Sequence, residues 1–505
     1  MSDSAVQMNP AGRRRGIVAL TLGIGLAARC VLLYLSPTYA LPYDHHEYVR
    51  WSIKMAEDGL ATIYDAPPRE SLIQFSGDRR PVILHHQESY VCNYPPLAAV
   101  LFWLQGQALS LFDSRRVSNT LVARICFGAL PILCDFVTAW GAWSLAQRLR
   151  AGPQALVALA AAILAPPLMI DSAFWGQTDS WLLAPAVWML WAMTTRRWLA
   201  AGLLWGLTMS LKTQGVLLAL VWLAAGAWSG PRKRTILGAA AGPLVLAVCS
   251  LPFTVHAGDA WLRAAFLENV ATSYNQTTLK AFNIWYVDLL LCEDDDASIR
   301  LAGLPKDWWG KIILAAGLLA AAAGVHRRYR QVGRRLLVWT ASYLLLAVML
   351  PTRVHERYVV MCLPFLIAAA ALRPRVWWGL APLLVAAAFQ VTVYQWVDTR
   401  LAAGWWPEAR RQELAGYEEA LAQGVRDLPA RQEAEGLWWE NYVRQRRPLV
   451  PYEWALTLLS LLSAAATLWC LFWRPPPAVA GPPQAVMSAG GGSTGGLTPS
   501  PPATR

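Results

Sequence analysis

Apolar runs of about 15 to 25 residues, each closed by a short polar stretch, recur along most of this chain, and that length matches the hydrocarbon core of a bilayer. A backbone inside lipid must satisfy its own hydrogen bonds, so runs of this kind fold as helices. Of the 505 residues, 56% are hydrophobic and only 15% are charged, far less charge than a soluble chain of this size carries. The formal charge of +12 does not point to nucleic acid. Its basic residues sit in short clusters between apolar runs, the pattern that orients a membrane protein. The fold class read from the sequence is therefore an all-α polytopic membrane protein.

Twelve spans are expected, at about 16–36, 121–145, 154–173, 180–195, 198–211, 214–229, 235–255, 308–325, 335–350, 357–373, 376–395 and 453–473. With this count the clusters Arg13 to Arg15, Arg148/Arg150, Arg196-Arg197, Arg232 to Arg234, His326 to Arg335, Arg373/Arg375 and Arg474 all fall on one side, which the positive-inside rule makes cytoplasmic. The apolar segment 95–111 would invert every later cluster if it crossed, so it is read as an interfacial or re-entrant helix within a long external loop, 37–119. Residues 1–15 form a cytoplasmic N-terminus, 16–395 the transmembrane catalytic domain, 396–452 an external loop, 453–473 the last span, and 474–505 a Pro/Gly/Ser-rich disordered tail. The first run follows three arginines and is longer than a signal-peptide core, so it is read as an uncleaved anchor. Arginine far outnumbers lysine, as in a GC-rich genome, which favours a bacterial inner membrane, with the endoplasmic reticulum as the eukaryotic counterpart.

Polar residues gather at the external ends of these spans. Pro42 to Trp51 reads PYDHHEYVRW; FWGQTDS covers Phe174 to Ser180, LKTQG begins at Leu211, AFNIW at Ala281 and VHERY at Val354. Six of the seven histidines, His45, His46, His85, His86, His256 and His355, lie on that side. Ionisable groups close to a membrane core are costly, and many on one face mark a functional site. No Cys/His zinc spacing occurs, and the acidic run Glu293 to Asp296 reads as a solvated loop. Cys92 and Cys292, both in external loops, are candidates for a disulfide.

NYPPL (Asn93 to Leu97), FWGQTDS, LKTQG, AFNIW and VHERY, in this order, resemble the GT-C membrane glycosyltransferases, above all the dolichyl-phosphate-glucose-dependent glucosyltransferases of the asparagine-linked-glycan pathway and their bacterial relatives. The resemblance covers about residues 16 to 373. It implies a GT-C-like bundle of about twelve helices, a polyprenyl-phosphate-linked sugar donor, inversion at the anomeric carbon and a glycan or lipid-linked acceptor. It implies no cofactor, although other GT-C enzymes use a divalent ion. The family's first-loop catalytic Asp falls on Asp44, and its His-Glu-basic motif near the donor phosphate falls on His355, Glu356 and Arg357. Two departures concern the acceptor side: the family's Asp-Tyr-Pro-Pro reads Asn93-Tyr94-Pro95-Pro96, and the spacing from Asp44 to Glu47 is one residue longer.

A sugar on a lipid phosphate needs one carboxylate to deprotonate the acceptor and fixed cations for the leaving phosphate. Asp44 suits the first task, and Lys212, His355 and Arg357 the second. Glu47, Tyr94, Gln177, Asp179, Gln214, Asn283, Trp285 and Glu356 are candidate sugar contacts, with Trp175, Trp285 and Tyr94 as stacking or groove-lining rings. If the stretch from Asp44 is helical, Glu47 shares its face and its charge presses on Asp44; the plainer role for Asp44 is a helix N-cap. The rival readings are a twelve-helix secondary transporter, whose polar groups would lie at the midplane, a scaffold subunit without catalysis, and, within the GT-C class, mannosyl or arabinosyl transfer to a protein or lipid.

Overall fold

The computed structural model describes residues 10–40, 43–65, 73–75, 81–83, 92–229, 232–268, 276–292, 296–405 and 450–472. Among these, sheet is confined to two hairpins, Ile73–Phe75 with Pro81–Ile83 and Arg300–Leu301 with Leu304–Pro305. His85, His86, Glu293 to Asp295, most of the 396–452 loop and the tail from 474 lie outside the described residues.

Among the described residues, six helices are long and apolar enough to cross a bilayer: Arg14–Tyr39, Leu121–Arg148, Lys233–Ala257, Lys306–Arg328, Val332–Met349 and Val450–Phe472. The pair Gln154–Leu164 and Pro166–Trp175 passes the same test when taken as one broken span, bent by 40° where Pro166 and Pro167 remove two backbone donors. The other expected spans fall on Asp179–Thr194, Trp198–Leu211, Thr213–Trp228, Leu363–Leu372 and Trp377–Trp405. Length alone does not make all of these spans. Trp198–Leu211 has 14 residues, a rise of about 21 Å against a core of about 30 Å. Some of the short helices are apolar because protein surrounds them. Asp179–Thr194 buries twelve of its 16 side chains, Trp181 and Met189 among them.

Close helix contacts rest on small residues. Trp198–Leu211 crosses Arg232–Ala257 through Gly202 and Gly206 on one helix and Gly238 and Gly242 on the other. A Cβ at Gly202 would stand 1.9 Å from the Gly238 carbonyl oxygen, and one at Gly206 2.6 Å from that of Gly242. This is the glycine-mediated approach that membrane helices use where dispersion replaces the hydrophobic effect. Deeper in the bundle, Arg29 is fully buried and its Nη2 lies 2.8 Å from Asp135 Oδ2. Its Nη1 donates to the Ile163 carbonyl at 2.8 Å, and Ser172 Oγ donates to the same Asp135 oxygen at 2.5 Å. One polar knot thus ties the first span to the Leu121–Arg148 helix and to both halves of the bent pair.

The described parts of the 37–119 loop carry regular structure. Tyr43–Glu57 is a helix, Leu60–Tyr64 a 3₁₀ turn, and Pro96–Phe112 a helix that begins on two prolines, where the missing N–H groups carry no penalty. The two helices pack so closely that a Cβ on Gly106 would meet Ser52 Cβ at 2.3 Å. Tyr48, Trp51 and Phe102 are buried there with Phe127, Trp181 and Phe253. Burying one such ring contributes about 1.5–3 kcal/mol, and this apolar cluster fixes the loop on the helix ends. The expected disulfide is corrected: Cys92 and Cys292 are both free thiols. Cys92 is buried and bonds the Tyr94 carbonyl, while Cys292 is exposed at the end of the helix Ile284–Cys292.

Candidate active site

Asp44 stands in the first turn of Tyr43–Glu57. The helix begins one residue earlier, so Asp44 is inside it and is not its N-cap. Positions 44, 48, 51 and 55 follow helical spacing, and Tyr48, Trp51 and Met55 on that stripe are buried. The Tyr48 ring stacks on Phe102 with centroids 4.6 Å apart, and this anchors the helix so that Asp44 faces the bundle. Asp44 Oδ2 accepts a short hydrogen bond from Gln177 Nε2. Gln177 Oε1 accepts in turn from the Tyr48 hydroxyl at 3.1 Å, and the Tyr48 and Tyr94 hydroxyls are 2.9 Å apart.

Gln177 reaches this place through a tight reversal. A π-turn, Ile170–Trp175, ends at Gly176, whose φ of 82° only glycine adopts without strain. The next helix starts at Asp179. Asp179 is buried, with Lys212 Nζ at 2.6 Å from Oδ1 and Arg357 Nε at 3.5 Å from Oδ2. Lys212 caps Trp198–Leu211 in an extended conformation, which swings its side chain off the helix axis toward Asp179. Arg357 also meets Glu356 at 3.4 Å, and its guanidinium lies over the Trp175 ring at 5.3 Å. His355 is 3.7 Å from Glu356. Glu356 and Arg357 open a 3₁₀ turn, Glu356–Met361, and the extended stretch that leads into it is held by backbone bonds to Thr277 and Leu279. Asp44, Gln177, Asp179, Lys212 and the His355 to Arg357 turn therefore converge from four separate stretches of sequence.

The local field follows from these contacts. Burial works against the charge on Arg357, but the carboxylates of Asp44, Glu356 and Asp179 override it and hold the guanidinium well above the ordinary arginine value. Burial, reinforced by the Asp44 charge, pushes Glu47 up to about 8, although Arg50 and Arg357 pull the other way. Glu47 therefore holds a proton at neutral pH. Burial and the nearby Arg357 lower His355, leaving its ring neutral. His45 and His46 are lowered chiefly by burial and then by Arg124, His46 to about 3. They turn away from Asp44: His46 bonds Ser118, and His45 packs edge-on against Phe127 at 5.6 Å.

The remaining expected residues occupy different surroundings. Tyr94 joins the cluster, its ring 5.8 Å from Lys212 Nζ. Gln214 donates to the Tyr358 hydroxyl at 2.6 Å, one residue beyond Arg357. Asn283 and Trp285 turn into the protein. Asn283 donates to the Val348 and Pro351 carbonyls, and Trp285 Nε1 donates to the Leu350 carbonyl at 2.8 Å. Two contributors escaped the sequence reading. Tyr48 bridges Gln177 and Tyr94, and its spacing of four from Asp44 was the available signal. Arg124, fully buried, donates to the Trp175 carbonyl at 2.9 Å and so braces the turn before Gln177. It sits in the first turn of an apolar helix and reads there as an interface residue. Among the described residues no group of three or more His, Cys, Asp or Glu side chains is arranged to hold a metal ion.

What the arrangement can do chemically is bounded by its parts: a carboxylate oriented by an amide, a guanidinium kept charged beside it, and a set of aromatic rings. No curated protein matches the chain. The family model for glycosyltransferase family 87 matches residues 92–352. That stretch contains Gln177, Asp179 and Lys212; the His355 to Arg357 turn lies just beyond it and Asp44 well before it, and both meet it in space. On that match the chain, an integral membrane protein with several apolar helices, belongs to glycosyltransferase family 87.

Proposed function

We propose that this glycosyltransferase moves a hexose, with inversion, from a polyprenyl-phosphate-linked donor to a hydroxyl of a glycan or lipid-linked acceptor at the external membrane face, with Asp44 as general base. The observation that carries this reading is the carboxylate of Asp44 held by Gln177, which shares its turn with Asp179, the partner of Lys212 and Arg357. The carboxylates of Asp44, Glu356 and Asp179 together keep Arg357 charged. Gln177 occupies Asp44 Oδ2, and among the described residues Oδ1 accepts no hydrogen bond. In the proposed step Oδ1 takes the proton of the acceptor hydroxyl as the acceptor oxygen forms its bond to the anomeric carbon. The bond from that carbon to the phosphate oxygen breaks, and the electron pair leaves with the lipid phosphate. Arg357 is the first group to meet that charge, with Lys212 behind it. The dolichyl- or polyprenyl-phosphate donor and the external site follow the motif resemblance and the arginine clusters at the opposite helix ends.

Asp44→Asn separates base from scaffold, because asparagine keeps the size and can still accept from Gln177. Transfer should fall by about a hundredfold or more, with thermal stability and donor binding retained in a purified assay using synthetic polyprenyl-phosphate sugars. Near-normal transfer would remove Asp44 from the role and make Glu47 the next base to test.

A further inference from the structure

At the helix ends opposite the candidate site, three arginines surround a cavity of about 270 Å³. Val332–Met349 runs from this cavity to the turn that precedes His355. Its 18 residues rise about 27 Å, close to the thickness of a hydrocarbon core. The walls are Arg328, Tyr329, Arg334 and Arg373 with the apolar Val338 and Leu372, and among the described residues no carboxylate lines it. The sequence explains that imbalance. No Asp or Glu occurs between Asp307 and Glu356, between Glu356 and Asp398, or after Glu453, so the helices forming the walls bring no anion to these ends.

The cavity is built rather than incidental. Arg373 Nη1 donates to the Tyr329 hydroxyl at 2.6 Å and to the Leu471 carbonyl, and its guanidinium lies 5.3 Å over the Tyr329 ring. Arg335 Nε donates to the Tyr329 carbonyl, which fixes the same tyrosine from behind. Arg334 spends one Nη2 bond on the Leu149 carbonyl at 3.2 Å. Its Nε is buried and has no hydrogen-bond acceptor, an arrangement that is costly unless a ligand supplies one. Arg334 also lies in the first turn of Val332–Met349, the helix end that favours an anion. Guanidinium forks match phosphate oxygens geometrically, and basic pockets between membrane helices on this side take anionic headgroups.

We propose that this pocket is a phosphate-binding site, in which Arg334 and Arg328 meet the phosphate oxygens above an apolar floor of Val338 and Leu372. The site is separate from the transfer chemistry and stands whether or not the donor assignment holds. Its phosphate can come from an anionic phospholipid headgroup or from the aqueous phase, and the test distinguishes them. The full chain is purified in detergent, and phosphatidylglycerol, phosphatidylcholine or inorganic phosphate is added. Lipid retention is read by native mass spectrometry and stability by thermal unfolding. One phosphatidylglycerol per chain, held at least about tenfold better than phosphatidylcholine, is the result expected of a headgroup site; stabilisation by inorganic phosphate without lipid preference assigns the site to free phosphate. In either case R328Q/R334Q should weaken binding by about tenfold or more relative to R327Q/R330Q, which removes equal charge from outside the cavity. If the first double variant does not fold, R328Q, at an exposed position, is compared with R327Q. Equal loss in the paired variants, or no preference of the native chain for either anion, overturns the proposal.

Discussion

Lys212 and Asp179 offer a direct test of how the site's charges are balanced. Both are buried, and their charged atoms are 2.6 Å apart. At an effective dielectric of 20 that separation corresponds to an attraction of about 6 kcal/mol. Asp179 keeps a second cation, Arg357 at 3.5 Å, for which the same arithmetic gives about 5 kcal/mol. Lys212→Met therefore leaves Asp179 partly compensated, and the loss should fall at the lower end of the range for a broken buried pair, about 3 kcal/mol. Asp179→Asn leaves two cations facing each other, and its loss should lie nearer the upper end, about 5 kcal/mol. The double variant removes both the charge and its partner, so it should lie within about 1.5 kcal/mol of the native protein, well short of the sum of the singles. Equilibrium unfolding in mixed micelles reads the cycle. Additive single losses, or a Lys212→Met loss below about 1 kcal/mol, would refute the reasoning. Donor affinity of the folded double variant, compared with that of Asp179→Asn, then isolates any direct role of Lys212 at the phosphate.

The other expectations are simpler. Glu47 binds its proton more tightly folded than unfolded, because burial and Asp44 raise it to about 8. The stability it contributes is complete below about pH 4.5, its unfolded value, and is lost as pH rises through about 8. Glu47→Gln should flatten thermal stability against pH across that window, and an unchanged profile would count against the assignment. Gly202→Leu should prevent the close crossing with Gly238 and cost about 3 kcal/mol or more, or abolish expression of folded protein. Exposed Cys292 should react with an impermeant maleimide in intact cells, and Cys292→Ser should abolish that signal. Labelling of Cys292 only after lysis would place the 256–307 loop inside.

The polar motifs were readable because each breaks an apolar run with groups that a membrane tolerates poorly. The stretches around Asp44, Gln177, Lys212 and His355 converge while AFNIW does not, and the shared face of Asp44 and Glu47 required only helical spacing. Which polar group takes which partner was not readable. Lys212 chooses Asp179, 33 positions earlier in the chain, and nothing in either motif encodes that separation. Span number is less legible for a related reason: the residues that face lipid and those that face a protein core use one apolar alphabet, so a mostly buried helix such as Asp179–Thr194 and a lipid-facing one read alike. Asn283 looked like a sugar ligand because an amide in an aromatic loop is ambiguous until its acceptors, the Val348 and Pro351 carbonyls, are in place. The first-loop hairpin Ile73–Phe75 with Pro81–Ile83 was missed because its strands are only three residues long.

The knot between Arg29 and Asp135 bears on how the chain is made. Arg29 enters the membrane with the first helix, 106 residues ahead of its carboxylate partner. At a synthesis rate of 5–20 residues per second, roughly 5 to 20 s pass before Asp135 emerges. During that interval a lone guanidinium near a helix centre costs about 2.5–3.5 kcal/mol. The apolar residues of the first helix outweigh that cost, so the helix enters lipid with a strained arginine that is relieved when the Leu121–Arg148 helix arrives. A chain truncated before Asp135 keeps that strain, which marks it for membrane quality control.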